Sequence, residues 1–150
     1  MRLDKKPLKE YISNLGFFHV GFARTRYLEE ESERLENWLN QSYHGEMSYL
    51  ERYFDFRLDP QKLMPGCKTI LVLAMNYFQE PRPLNENQSK ISIYALGKDY
   101  HKVIRSKTKE IIRWMRTNYG EISARAFVDS GPVLERVWAK ESGISWTGKN

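Results

Sequence analysis

The chain has 150 residues, 41% hydrophobic and 29% charged, a balance that suits a soluble globular fold and argues against a disordered or membrane-embedded one. No stretch approaches the ~20 apolar residues of a membrane span, and the charged opening from Met1 to Lys9 lacks a signal-peptide core, so the chain reads as cytoplasmic. A formal charge of +5 suits a polyanionic partner, and the single cysteine, Cys67, excludes an internal disulfide, a thiolate zinc site or an iron-sulfur cluster built from these residues alone.

The length fits one domain over residues 1–150. Leu8, Tyr11, Ile12 and Leu15 recur at helical spacing and Gly16 ends that helix. Phe17 to Ala23 reads as a short strand. A second helix is expected from Tyr27 to Asn40, with Leu28, Leu35, Trp38 and Leu39 as its buried stripe and Glu29, Glu30 and Glu31 at its positive end. Between Gln41 and Met64 a short helix is expected around Met47 to Tyr53, followed by turns at Asp59-Pro60 and Pro65-Gly66.

Thr69 to Phe78 contains a nearly continuous apolar run, as expected of a central strand covered on both faces. Gln79 to Lys90 reads as a loop. Asp99 caps a long basic helix ending near Asn118, whose core face is Val103, Ile104, Ile111, Ile112, Trp114 and Met115. Its Lys102, Arg105, Lys107, Lys109, Arg113 and Arg116 point outward, either as a solvated face or toward a polyanion. Ala124 to Val128 reads as a further strand, and Gly131-Pro132 opens a helix running to Gly143 with Pro132 at its first position. Alternation of helices and strands around a buried run predicts an α/β layered sandwich, a central mixed sheet flanked by helices in a single domain.

Four clusters stand out: HGEM at His44 to Met47, FRLDP at Phe56 to Pro60, YALGKDYHK at Tyr94 to Lys102, and FVDSGPVLER at Phe127 to Arg136. None is a P-loop, a paired-glycine dinucleotide fingerprint, an HExxH or a nucleophile elbow. His19, His44 and His101 are too scattered to imply a metal site. Asp129 follows apolar residues at the expected end of a strand, a common ligand position in α/β folds, but Asp129 and Ser130 would equally serve to cap the next helix. Arg57 would serve a ligand or pair with Asp55 or Asp59.

These clusters, with R-x-DP followed by Leu-x-Pro-Gly, a strand ending Asn-Tyr and the closing SGISWTGKN, resemble in order and spacing the N-terminal region of epoxyqueuosine reductases along the whole chain. The resemblance implies a cobalamin-dependent reduction of epoxyqueuosine to queuosine in tRNA by a monomeric enzyme. It places the proton donor, also a cofactor contact, on Asp129, further cobalamin contacts on Arg57, Ser92, Tyr100 and His101, and a substrate contact on Arg136. A backbone contact is expected at Ser92. Donation needs a protonated carboxyl, which burial beside Phe127 and Val133 would favour. In that family a ferredoxin-like region with two 4Fe-4S clusters follows and delivers electrons, so this chain is expected to be a truncated piece, inactive alone. A tRNA- or corrinoid-binding module without turnover, or a flavin-binding nitroreductase relative, is the alternative.

Overall fold

In the computed structural model, which describes residues 4–78, 92–95, 97–129, 131–146 and 148, helices dominate. The order is α1 (Lys6–Asn14), β1 (His19–Arg24), α2 (Glu29–Asn40), the short helices α3 (Tyr49–Arg52), α4 (Phe54–Leu58) and α5 (Pro60–Leu63), β2 (Thr69–Ala74), a 3-10 turn (Ile93–Ala95), α6 (Tyr100–Tyr119) and α7 (Glu135–Glu141). The expected loop from Gln79 to Lys90 lies outside the described residues. Contacts divide the chain into two compact units, Met1–Val20 with Leu73–Val128, and Gly21–Val72 with Asp129–Asn150.

In the first unit, Leu8 and Ile12 are the buried face of α1, and Gly16 leaves the helix at φ +87°, a left-handed conformation that favours glycine. The Lys107 ammonium donates to the Leu15 carbonyl at the end of α1, so this lysine is half-buried and not outward as expected; its cation meets the negative end of a helix. Tyr11 stacks on Trp114 at 5.1 Å, and the Tyr119 hydroxyl donates to the Asp4 carbonyl at 2.9 Å. The Asp99 cap is as expected, its carboxylate accepting the His101 amide at 2.9 Å.

In the second unit the core is Ala23, Leu28, Leu58 and Trp138, with Phe54, Ile70, Val72, Val133, Leu134 and Val137 packed against it. Leu28 precedes α2, which itself carries no fully buried residue, so the expected stripe of Leu35, Trp38 and Leu39 is only half covered. Asp59 caps α5, accepting the Gln61 amide at 2.9 Å, with Pro60 in the first turn where its missing N–H is no loss. A Cβ on Gly21 would lie 2.5 Å from the Ser142 hydroxyl and 2.7 Å from Ile144, so only glycine allows the segment after α7 to approach β1 this closely.

The expected central mixed sheet is not found. Among the described residues there is one two-stranded sheet, and the Phe18 amide on Ala74 O (2.7 Å) and the Thr25 amide on Lys68 O (3.2 Å) make it antiparallel. The architecture is therefore a helix-rich mixed α/β fold. With a single partner strand, β2 is half-buried along most of its length and not covered on both faces. Ala124 to Val128 makes no strand, although Val128 is buried. The last helix begins at Glu135, not Pro132, because the Val133 amide closes a three-residue turn onto Gly131 O at 2.8 Å, around Pro132.

Trp138 is 1% exposed in the centre of the second core. Trp138→Ala is expected to cost ~3–5 kcal/mol in urea unfolding, the range for removing a buried large aromatic.

Candidate functional site

In the second unit, the backbone from Val128 enters Asp129 at φ +53°, a left-handed conformation rarely adopted by non-glycine residues. The turn is held by a hydrogen bond not expected from the sequence: the Asp129 amide donates to Glu135 Oε1 at 3.0 Å. Asp129 itself is exposed rather than buried. Nor does it cap α7, since the residue preceding that helix is Leu134 and no side chain caps it. The bond runs the other way, from the amide of Asp129 to a side chain at the start of the helix.

Burial pushes the Glu135 carboxyl above its ordinary value, the Asp129 amide opposes that shift by favouring the anion, and the nearby Asp129 charge adds to the rise. Sequence reasoning missed Glu135. The available signal was a glutamate in the first turn of a helix, six residues after an aspartate in FVDSGPVLER, a position from which carboxylates reach back to upstream amides.

Arg57 lies on the half-buried side of α4, and among the described residues its buried Nε has no hydrogen-bond partner. Burial lowers the pKa of its guanidinium, with Tyr49 acting in the opposite direction. The ion pair considered for it is not formed with Asp55, which holds Lys62 at 2.7 Å, and the Asp59 carboxylate serves as the α5 cap. Arg136, on the second residue of α7, is exposed. His44 of HGEM is buried, with Nε2 on Glu51 Oε1 at 2.8 Å, Nδ1 unpartnered and the Trp38 ring 5.9 Å away.

In the first unit, Tyr100 and His101 are brought together at the start of α6: their rings stack at 4.1 Å, and His101 Nδ1 lies 3.0 Å from Asp99 Oδ1. The His101 side chain and amide hold the Asp99 carboxyl below its usual value. Tyr94 meets Tyr100 edge-on at 6.4 Å. Ser92 is exposed, and its carbonyl accepts the Ala95 amide at 2.9 Å. Among the described residues no cluster of His, Cys, Asp and Glu could hold a metal ion, and no helix is long and apolar enough to cross a membrane.

Comparison with known proteins gives a consistent picture. The family model for epoxyqueuosine reductase QueG, DUF1730, matches residues 57–130. An epoxyqueuosine reductase of Leadbetterella byssophila is 47% identical over 150 residues, covering 100% of this chain and 49% of that protein. The structure of epoxyqueuosine reductase from Streptococcus thermophilus superposes with a TM-score of 0.84 at 22% identity, over 97% of this chain and 40% of the other. A crystal structure of epoxyqueuosine reductase with a tRNA-Tyr epoxyqueuosine-modified tRNA stem loop gives a TM-score of 0.76 at 25% identity, over 95% and 38%. The chain thus spans about half the length, or less, of the proteins it matches.

Because the folded state raises the Glu135 pKa, it binds this proton more tightly than the unfolded chain. The contribution of Glu135 to stability is therefore most favourable below its unfolded value, ~4.3, and declines as pH rises toward the raised folded value. Glu135→Gln removes that decline. In urea unfolding, the stability of the variant relative to the parent is expected to climb with pH across this window and then level off; a difference that falls with pH would contradict the shift.

Proposed function

The chain is homologous along its length to epoxyqueuosine reductases and carries their QueG DUF1730 region, and from this premise we propose that it is the N-terminal, cobalamin-binding part of such an enzyme, reducing epoxyqueuosine to queuosine in tRNA. In this reading the enzyme works as a cytoplasmic monomer. The observation that carries the reading is Asp129, an exposed carboxylate held at φ +53° inside the matched segment. Non-glycine residues in strained backbone regions concentrate at functional sites, where surrounding structure over-determines them.

Removal of the epoxide oxygen as water consumes protons and electrons. Bound cobalamin supplies the electrons through its cobalt centre. Asp129 delivers one of the two protons to the departing oxygen, and solvent supplies the other. The residues present suit a corrinoid: Arg57 offers a buried Nε–H with no protein acceptor, matched to an amide carbonyl of a corrin side chain. Ser92, Tyr100 and His101 complete the proposed cofactor contacts, with Ser92 contributing backbone, and Arg136 contacts the substrate nucleotide. The residues do not suit a 4Fe-4S cluster, which needs four thiolates where this chain has one cysteine. The clusters and the electron donor are assigned to the part of the relatives' length that this chain does not span.

The substrate surface in this reading includes α6, whose Lys102, Lys109 and Arg113 are exposed. A relative solved with a tRNA stem loop supports tRNA as the polyanion. Affinity for tRNA is expected to fall steeply between about 50 and 200 mM salt as phosphate contacts release counterions, measured by filter binding or fluorescence anisotropy. An affinity unchanged by salt would remove the electrostatic role of α6.

Asp129→Asn in the full-length protein is expected to keep the fold and the cobalamin spectrum while single-turnover reduction drops roughly 100- to 10,000-fold, the range for losing a general acid. Near-normal turnover would rule out the acid role.

A further inference from the structure

We propose that Glu135 is the positioning residue for Asp129, its carboxylate oxygen gripping the Asp129 amide at 3.0 Å and so fixing the turn that aims the acid. This inference rests on the reading of Asp129 as proton donor. It adds a residue that acts on the acid through the turn that carries it.

A non-glycine residue at φ +53° sits in a well that L side chains populate sparingly, so something must hold it there. The grip comes from a rigid element. Glu135 opens α7 directly after Leu134 and three residues before Trp138, both of which belong to the packing of the second unit, so its backbone is anchored while its side chain reaches back six residues. No side chain caps α7, so the Asp129 carboxylate is not engaged as its cap; it lies beside the Glu135 carboxyl, which it helps to raise above its ordinary value. The Glu135 carboxyl, raised by desolvation and by the neighbouring Asp129 carboxyl, still offers an acceptor oxygen to the amide whether or not it carries a proton.

The geometry separates Glu135 from a general structural glutamate. A structural role would show itself in stability; a positioning role shows itself in the rate of the chemical step and in the protection of one amide. Three variants of the full-length protein, loaded with cobalamin and assayed on epoxyqueuosine-containing tRNA, distinguish them. Glu135→Gln keeps a carbonyl acceptor at the same reach, Glu135→Asp keeps the charge but shortens the reach by one methylene, and Glu135→Ala removes both.

Glu135→Ala and Glu135→Asp are expected to lower single-turnover reduction roughly 10- to 100-fold, the scale of small misplacements of a reacting group, with KM for tRNA close to that of the parent. Glu135→Gln is expected to restore the rate to within a few-fold. Hydrogen exchange at the Asp129 amide should accelerate in the Ala and Asp variants and remain slow in the Gln variant. If Glu135→Ala does not fold, the Asp and Gln pair makes the same comparison. Normal turnover in Glu135→Asp, or a loss that Glu135→Gln fails to rescue, overturns the proposal. Failure of the underlying reading looks different: Asp129→Asn would then turn over normally, whatever amide exchange reports about Glu135.

Discussion

Burial of the Trp138 indole sets the phase of α7, and the polar residues of the second unit follow from that phase. At 1% exposure against Ala23, Leu28 and Leu58, the indole leaves the helix no freedom to rotate without opening a cavity. An α-helix advances about 100° per residue, so Glu135, three residues earlier, stands on the face adjoining Trp138, where its carboxyl is partly desolvated although the residue is exposed. Arg136, two residues before Trp138, is carried to the far side and is exposed. The same phase leaves Glu135 on the side from which its carboxylate accepts the Asp129 amide. The bidentate pair of Arg26 with Glu141, at 3.0 and 3.2 Å, ties the other end of the same helix.

The first unit obeys a different balance, in which helix ends organise the charges. Asp99 accepts both the amide and a ring nitrogen of His101 at the start of α6, which orders the His101 and Tyr100 rings as a stack. Lys107 is drawn from the basic face of α6 to the last carbonyls of α1, where an ammonium satisfies an acceptor that the helix cannot. The outward cations that remain, such as Lys102, Lys109 and Arg113, form a surface charged by subtraction, the part of the basic face that the fold does not use internally.

Much of the secondary structure was legible because local chemistry dictates it. Gly16 ends α1, Asp99 starts α6, and the apolar spacing of both helices survives folding. The errors share one cause, which is that strands depend on partners that sequence does not name. Ile70 to Ala74 is as apolar as a doubly covered strand yet has a single strand beside it, and Ala124 to Val128 has strand composition with no strand pairing. Pro132 fits the first position of a helix, but the Gly131–Val133 turn postpones the helix to Glu135. At the candidate site, Asp129 stands out in the sequence for its place after an apolar run, and Arg57 for its motif. Its unpartnered Nε and the reach of Glu135 do not, because both depend on how α4 and α7 are buried, a property of packing and not of spacing.

The Asp129–Glu135 arrangement also divides two demands that a single carboxyl cannot meet together. A group that donates a proton to a ligand must be reachable from outside the protein, whereas a group that stabilises an unfavourable backbone conformer must be fixed from within. In the proposed reading the exposed Asp129 meets the first demand, and Glu135, whose backbone is rooted in α7, meets the second. Their separation by six residues lets a short turn carry the exposed carboxyl while the helix carries the restraint.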